Sequence, residues 1–289
     1  MEFLTGYAVF HWIATWATPA CDVFFRAATD LGYPTFYYLT IAPLFWIVDR
    51  RRACILFLLI LASGYINTLA KLWVHTPRPD PQLARVLDFR PYQTGSNAFP
   101  SGHAQIGVVF WGYLAWWVGR PWFTGVALLV VLLISFSRLY LAVHFPIDIV
   151  GGVFLGTVSL VLLAPVFERW SHSNFRLGAA ATGLLVAGAL LAAVASTDLT
   201  MSLISGSLLG FLAGAVWLPQ APPLLRTARQ SWASATLGLS LLLVASLPLQ
   251  WLPRAPLWVL GQVTLLWIVA LWCYPQLMHR VAAPVRERL

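Results

Sequence analysis

Three short stretches of this mostly apolar chain bring several ionisable side chains close together in sequence. The chain has 289 residues, of which 10% are charged and 60% are apolar. The stretches are KLWVHTPRP (71–79), FPSGHA (99–104) and SRLYLAVHFPID (137–148). Ionisable groups in apolar sequence must be paired or hydrated at a cost in free energy, so their presence here needs a chemical reason.

The basic residues of these stretches have the chemistry of a phosphate site. Lys71, Arg78 and Arg138 supply three positive charges, and guanidinium groups bind phosphate oxygens in a bidentate manner. Ser101 and Gly102 stand at a predicted helix start, where free backbone N–H groups and the helix dipole favour an anion. Together these five residues predict a site for a phosphate group.

The histidines of the same stretches supply the groups that phosphate-ester hydrolysis needs. His144 and His103 provide a nucleophile for phosphorus and an acid for the leaving oxygen. Asp148 follows His144 by four residues, and Pro146 is preset for a first helical turn. The carboxylate of Asp148 is therefore expected to fold back onto the imidazole, fix the tautomer and leave the other ring nitrogen free to attack.

The acidic residues near these stretches do not form the pattern of a metal site. Asp80, Asp88 and Asp148 are too few and too widely spaced for a two-metal centre. We therefore expect no metal and no other cofactor, with the three cations stabilising the charge on the transferring phosphoryl group instead.

The elements that must position these residues are predicted to be membrane helices. Mean hydropathy is +0.77, and the chain contains 15 Trp and 17 Phe, which is typical of a polytopic helical membrane protein. The fold class is therefore all-α, a transmembrane bundle of about nine spans. The spans are predicted at 33–49, 53–71, 104–119, 121–138, 146–166, 176–196, 199–218, 232–250 and 256–274.

The spans divide the chain into three predicted parts. Residues 1–32 form an interfacial segment that favours an amphipathic helix. Residues 33–168 form a core that carries the three stretches, and residues 169–289 form a C-terminal transmembrane extension. Two glycine repeats, Gly152 with Gly156 and the series from Gly206 to Gly214, predict close packing of helices.

The distribution of charge predicts the orientation. The turn DRRR at 49–52 is a cytoplasmic signal, and fixing it inside places 11 of the 18 basic residues on that side. The N-terminus and the site are then outside and the C-terminus is cytoplasmic. Compact, Arg-rich loops favour a bacterial inner membrane, with the site facing the periplasm. The formal charge of +8 does not indicate a nucleic-acid partner, because the basic residues form no patch with interleaved aromatic residues.

The three stretches resemble the signature of the type-2 phosphatidic acid phosphatases, whose site is shared with glucose-6-phosphatase, bacterial acid phosphatases and vanadium haloperoxidases. That signature is Lys, six residues, Arg-Pro; then Pro-Ser-Gly-His; then Ser-Arg, five residues, His, three residues, Asp, and every part is present here. The resemblance implies that His144 forms a phosphohistidine, Asp148 orients it and His103 protonates the leaving group. The phosphate-binding residues that it implies are Lys71, Arg78, Ser101, Gly102 and Arg138.

The expected substrate is a membrane lipid phosphate or pyrophosphate, such as phosphatidic acid, a lysolipid phosphate or a polyprenyl pyrophosphate. Phosphate or vanadate is expected to bind as a site ligand. Four alternatives stay open: hydrolysis of a soluble phosphomonoester, as the nine spans of glucose-6-phosphatase allow; phosphotransfer to a hydroxyl acceptor; a haloperoxidase; and a transporter for a phosphorylated ligand. The sequence indicates no oligomeric state.

Overall fold

The computed structural model of the chain describes residues 6–83, 97–195, 199–215, 236–240, 242 and 255–276. Within these ranges every regular element is a helix and no strand occurs. The all-α prediction is therefore confirmed.

The helices are numbered here in chain order. They are α1 Ala8–Trp16, α2 Pro19–Asp30, α3 Pro34–Pro43, α4 Arg50–Val74, α5 Gly102–Val118, α6 Pro121–Tyr140, α7 Pro146–Ser171, α8 Ala179–Ala195, α9 Leu199–Ala215 and α10 Pro256–Ile268. Two turns of π-helix, Leu44–Val48 and Val269–Cys273, extend α3 and α10 respectively, and a short 3₁₀ turn covers Pro81–Leu83.

The chain is an integral membrane protein. Among the described residues, four helical segments are long and apolar enough to cross a bilayer: Arg50–Val74, Pro121–Tyr140, Pro146–Ser171 and Pro256–Gln276. A bent pair, Pro19–Asp30 with Pro34–Val48, passes the same test when taken as one span. Helices lie at eight of the nine predicted spans, but some are short, and α5 has 17 residues. The segment 232–250 lies largely outside the described residues, so the count of nine stays a prediction.

The N-terminal segment differs from the single interfacial helix that the sequence suggested. It forms two helices, because Thr18 caps α2 by accepting the N–H of Cys21 and Pro19 occupies the first helical position. Val9, Phe10 and Phe25 are buried in one cluster with the residues from Tyr140 to Val143. The segment is therefore packed against the end of α6, which carries part of the third stretch.

The described part of the chain falls into two compact units. One lies within Met1–Tyr38 and Ala62–Pro165, and the other within Leu39–Leu61 and Val166–Leu289. The three stretches all belong to the first unit. The three-part division drawn from the sequence stays a prediction.

The glycine repeat in α9 packs as the sequence indicated, inside the second unit. A Cβ atom on Gly206 would lie 2.6 Å from the carbonyl oxygen of Leu260, and one on Gly210 would lie 2.6 Å from Cβ of Trp267. Only glycine permits this approach of α9 to α10.

Candidate active site

Four helix ends bring the three stretches together in the first unit. Lys71 and Arg138 lie in the last turns of α4 and α6. Ser101 caps the start of α5, and Asp148 lies in the first turn of α7. The site therefore combines cations at helix C-termini with the N-terminus of α5, whose free N–H groups favour an anion.

Hydrogen bonds of Lys71 and Thr76 join the first stretch to the start of the second stretch and the two residues before it. Lys71 Nζ donates to the carbonyl oxygens of Asn97 at 2.5 Å and Ala98 at 3.2 Å, and Asn97 Nδ2 donates back to the Lys71 carbonyl at 2.6 Å. Thr76 accepts the backbone N–H of Ala98 through its carbonyl oxygen and that of Phe99 through Oγ1, both at 2.8 Å. The second stretch is thereby fixed to the end of α4.

The first and third stretches are joined through Arg78. Its Nη1 donates to the carbonyl oxygen of Val143 at 2.9 Å. The N–H of Val143 in turn donates to the carbonyl oxygen of Arg138 at 3.1 Å. Two arginines of the predicted phosphate site are thus connected to the backbone immediately before His144.

The second and third stretches meet where α5 and α7 begin. The N–H of Ser101 donates to the carbonyl oxygen of Asp148 at 2.9 Å. A Cβ atom on Gly152 would lie 2.5 Å from the carbonyl oxygen of Ser101, and one on Gly156 would lie 2.6 Å from that of Gln105. The close packing predicted for these two glycines is observed, and it brings Asp148 to the start of α5.

A buried polar network supports the start of α5, and no sequence motif indicated it. Asn67 Nδ2 donates to the carbonyl oxygen of Pro100 at 3.2 Å and to Gln105 Oε1 at 2.9 Å. Gln105 Nε2 donates to Oγ and to the carbonyl oxygen of Ser63, each at 2.9 Å. The only sequence signal was the presence of two amide side chains inside predicted spans, where polar groups need partners.

His144 and Asp148 form a buried pair. Nδ1 of His144 lies 3.4 Å from Oδ2 of Asp148, and the two side chains are 3% and 2% exposed. The same carboxylate oxygen accepts the N–H of Phe145 at 2.8 Å. The carboxylate folds back toward the imidazole as expected, but the two groups are in contact without a hydrogen bond: among the described residues, Nδ1 has no hydrogen-bond partner.

The surroundings of His144 favour its neutral form. Burial is the largest effect, and the positive charges of Arg78, Lys71 and Arg138 add to it, so that the pKa of His144 is held well below its usual value. His103 acts in the same direction. A neutral imidazole has a free lone pair, which nucleophilic attack requires.

Two further residues of the site contact the end of α2 and the turn that follows it. Arg138 Nη1 donates to Thr29 Oγ1 at 2.7 Å. The ring of His103 meets that of Tyr33 edge to face, with centroids 4.5 Å apart. No sequence signal pointed to these contacts, because Thr29 and Tyr33 belong to no recognisable motif.

Residues 52–172 match the family model of the PAP2 superfamily. This region of the chain is similar to the PAP2 superfamily. All eight residues that the sequence singled out lie within it, whereas Thr29 and Tyr33 precede it.

Curated relatives and a solved structure are similar to the PAP2 region. Lipid phosphate phosphatase delta of Arabidopsis thaliana is 31% identical over 161 residues, 51% of this chain and 39% of that protein. Phosphatidylglycerophosphatase B of Bacillus subtilis is 28% identical over 114 residues, 36% of this chain and 52% of that protein. The chain thus spans about half or less of the length of these relatives.

The solved structure is the transmembrane PAP2-type phosphatidylglycerolphosphate phosphatase of Bacillus subtilis. It is 23% identical, with a TM-score of 0.46, and the match covers 56% of this chain and 84% of that one.

Proposed function

We propose that the chain is an integral membrane phosphatase that hydrolyses a lipid phosphate or pyrophosphate through a phosphohistidine on His144. The observation that carries this proposal is the position of His144, which is buried beside Asp148. The positive charges of Lys71, Arg78 and Arg138 help to keep its imidazole neutral. Similarity to proteins named lipid phosphate phosphatase delta and phosphatidylglycerophosphatase B supports it.

The geometry supports a first step of phosphoryl transfer to the enzyme. Because Nδ1 of His144 faces Asp148, Nε2 is the ring nitrogen that attacks phosphorus. The N–P bond forms as the bond from phosphorus to the leaving oxygen breaks, and His103 donates a proton to that oxygen. Asp148 stabilises the positive charge that the imidazole acquires.

Water completes the cycle in a second step. His103, now neutral, accepts a proton from water as the water oxygen attacks phosphorus. The N–P bond breaks, phosphate leaves, and both histidines return to their starting states. Lys71, Arg78 and Arg138, with the N–H groups at the start of α5, stabilise the phosphoryl oxygens in both steps.

The cationic site gives the reaction a source of charge stabilisation within the protein. Among the described residues, no group of three or more His, Cys, Asp or Glu side chains has the arrangement of a metal site. Independence from metal stays a prediction, and turnover after treatment with a chelator tests it. Strict dependence on added magnesium would contradict this part of the proposal.

Apolar residues beside the site support a lipid substrate. Leu69, Leu72 and Trp73, near the end of α4, are 59%, 50% and 87% exposed. In a membrane helix such side chains face lipid, and Trp favours the boundary with the headgroups. A lipid in the bilayer would therefore present its phosphate close to Lys71.

The orientation follows from the positive-inside rule. The DRRR turn belongs on the cytoplasmic side, so the proposed site faces outward, toward the periplasm if the host is a bacterium. Labelling of single cysteines by a membrane-impermeant reagent, introduced near 75 and near 172, tests this topology. If only the cysteine near 172 were labelled from outside, the predicted orientation would be wrong and the opposite one correct.

Phosphate release by the purified protein tests the proposed activity. Phosphatidic acid, a lysolipid phosphate, a polyprenyl pyrophosphate and glucose 6-phosphate are compared, with His144→Ala as the blank. Preference for any of the three lipids supports the proposal, and turnover of glucose 6-phosphate alone contradicts it. Partition of phosphate to an added alcohol, measured at rising alcohol concentration, distinguishes a transferase from a hydrolase.

A further inference from the structure

The end of α2 lies against one of the arginines of the proposed site. Thr29 is fully buried, and its Oγ1 accepts a hydrogen bond from Nη1 of Arg138 at 2.7 Å. Arg138 is itself only 5% exposed. A hydrogen bond at one nitrogen restricts the motion of a buried guanidinium, which helps to orient its other N–H groups before a phosphate binds.

Gly32, in the turn between α2 and α3, provides the space that the ring of His103 occupies. A Cβ atom on Gly32 would lie 2.7 Å from Cδ2 of His103 and 2.8 Å from Cγ2 of Ile134. Ile134 is fully buried, and the ring of Tyr33 contacts His103 on another side. A side chain at position 32 would therefore force the imidazole of His103 or the side chain of Ile134 to shift.

We infer that the segment from Thr29 to Tyr33 is a positioning element of the active site. Thr29 orients Arg138 toward the phosphate, and Gly32 with Tyr33 sets the place of His103 as the acid. The inference rests on the proposed function and gives the N-terminal segment, which precedes the PAP2 match, a part in the reaction.

Removal of the Thr29 hydroxyl tests the contact with Arg138. Thr29→Val keeps the shape of the side chain, and Thr29→Ser keeps its hydroxyl. The matched control is Thr157→Val, since Thr157 is exposed and its hydroxyl bonds to the carbonyl of Val153 in its own helix. Vanadate binding is measured as inhibition and directly as the rise in thermal stability that it causes.

Thr29→Val is expected to weaken vanadate binding and lower kcat/KM about tenfold, as for loss of a hydrogen bond to a charged group. Thr29→Ser and Thr157→Val are expected to retain wild-type values. In an Arg138→Lys background, Thr29→Val is expected to have little further effect, because the two residues act together. A loss of folded protein alone would lower the active fraction without changing vanadate affinity.

Addition of a methyl group at position 32 tests the contact with His103. Gly32→Ala is compared with Gly125→Ala, where a Cβ atom meets nothing within 4 Å. A displaced acid slows the release of an alkoxide more than that of a nitrophenolate, which leaves without protonation. Gly32→Ala is therefore expected to slow hydrolysis of an alkyl phosphate about tenfold more than that of p-nitrophenyl phosphate.

The outcomes distinguish a failure of the proposed function from a failure of the positioning role. If the wild-type protein neither binds vanadate nor releases phosphate, the proposed function fails and this inference with it. If the wild-type protein does both, while Thr29→Val keeps its vanadate affinity and Gly32→Ala slows both substrates equally, only the positioning role is overturned.

Discussion

Arg78 donates from Nη1 to the carbonyl oxygen of Val143 at 2.9 Å, one residue before His144. The arginine of the first stretch is therefore a structural link to the third stretch as well as a charge beside the histidine. Guanidinium can do both, because its planar group carries five N–H donors.

Arg78→Lys keeps the charge but removes this link. A single ammonium group cannot hold the Val143 carbonyl and bind phosphate oxygens in the same fork geometry. We expect kcat/KM to fall about tenfold to a hundredfold, by analogy with the loss of a hydrogen bond to a charged group. Initial rates of phosphate release measure the effect.

Arg120→Lys is the control for that substitution. Arg120 is exposed and lies at the opposite end of α6 from Arg138. Equal losses in the two variants would mean that the effect of Arg78→Lys does not depend on the site.

His144→Ala removes the proposed nucleophile. Turnover is expected to fall about a thousandfold or more, as for other enzymes that lose a covalent nucleophile. Rapid quenching with a ³²P-labelled substrate measures the acid-labile phosphoenzyme, which His144→Ala is expected to lack. The control is His11→Ala, since His11 is exposed; a phosphoenzyme that persists in His144→Ala would move the covalent step to another residue.

The pH dependence of activity follows from the lowered pKa of His144. Because its folded pKa lies well below 6.5, the imidazole stays neutral under mildly acidic conditions, and kcat/KM is lost only as pH falls through that lower value. In stability terms, the unfolded chain takes up a proton near pH 6.5 that the folded chain does not. The contribution to stability is thus present above that pH and declines below it.

Burial is the largest cause of the lowered pKa of His144, and Arg78→Gln tests the added contribution of the Arg78 charge. Removal of the positive charge is expected to move the acid limb of kcat/KM upward, toward the ordinary imidazole value. The substrate phosphate also titrates at about pH 6. Comparison of the variant with the wild-type protein on the same substrate cancels that contribution. An unchanged acid limb would mean that Arg78 does not act on the titrating group.

Local patterns predicted the helices and singled out the eight residues of the proposed site, but they could not predict the contacts that arise from packing. The three stretches lie at helix ends, and apolar runs long enough to cross a bilayer predict that those ends share one side of it. The spacing of His144 and Asp148 placed them one helical turn apart, and the structure agrees. That spacing did not reveal that Phe145 shares the carboxylate oxygen.

The N-terminal contribution was not predictable in this way. Thr29 and Gly32 reach Arg138 and His103 from positions about 70 to 110 residues earlier in the chain, and single residues of these types occur in most helices and turns. Only the packing of α2 against α6, and of the turn after α2 against His103 at the start of α5, brings them to these residues.

Asn67→Leu tests the network under the start of α5. Asn67 is 7% exposed, and its loss leaves Oε1 of Gln105 and the carbonyl of Pro100 without this donor. The free energy of unfolding is expected to fall by about 1–3 kcal/mol, with weaker vanadate binding. Thr68→Val is the control, because Thr68 is buried on the same helix but bonds to the carbonyl of Gly64; equal effects would contradict a special role for Asn67.

Gly152→Ala tests the approach of α7 to α5. The new Cβ atom would lie 2.5 Å from the carbonyl oxygen of Ser101 and 3.1 Å from Cβ of Ala104, and backbone atoms cannot yield as a flexible side chain does. Overpacking is expected to lower the free energy of unfolding by about 1–3 kcal/mol. Because Ser101 also donates to the carbonyl of Asp148, vanadate binding should weaken as well. Thermal unfolding with and without vanadate measures both effects. The control is Gly183→Ala, because a Cβ atom at that position meets nothing within 4 Å. A Gly152→Ala protein that matches this control would show that the two helices need no glycine at their contact.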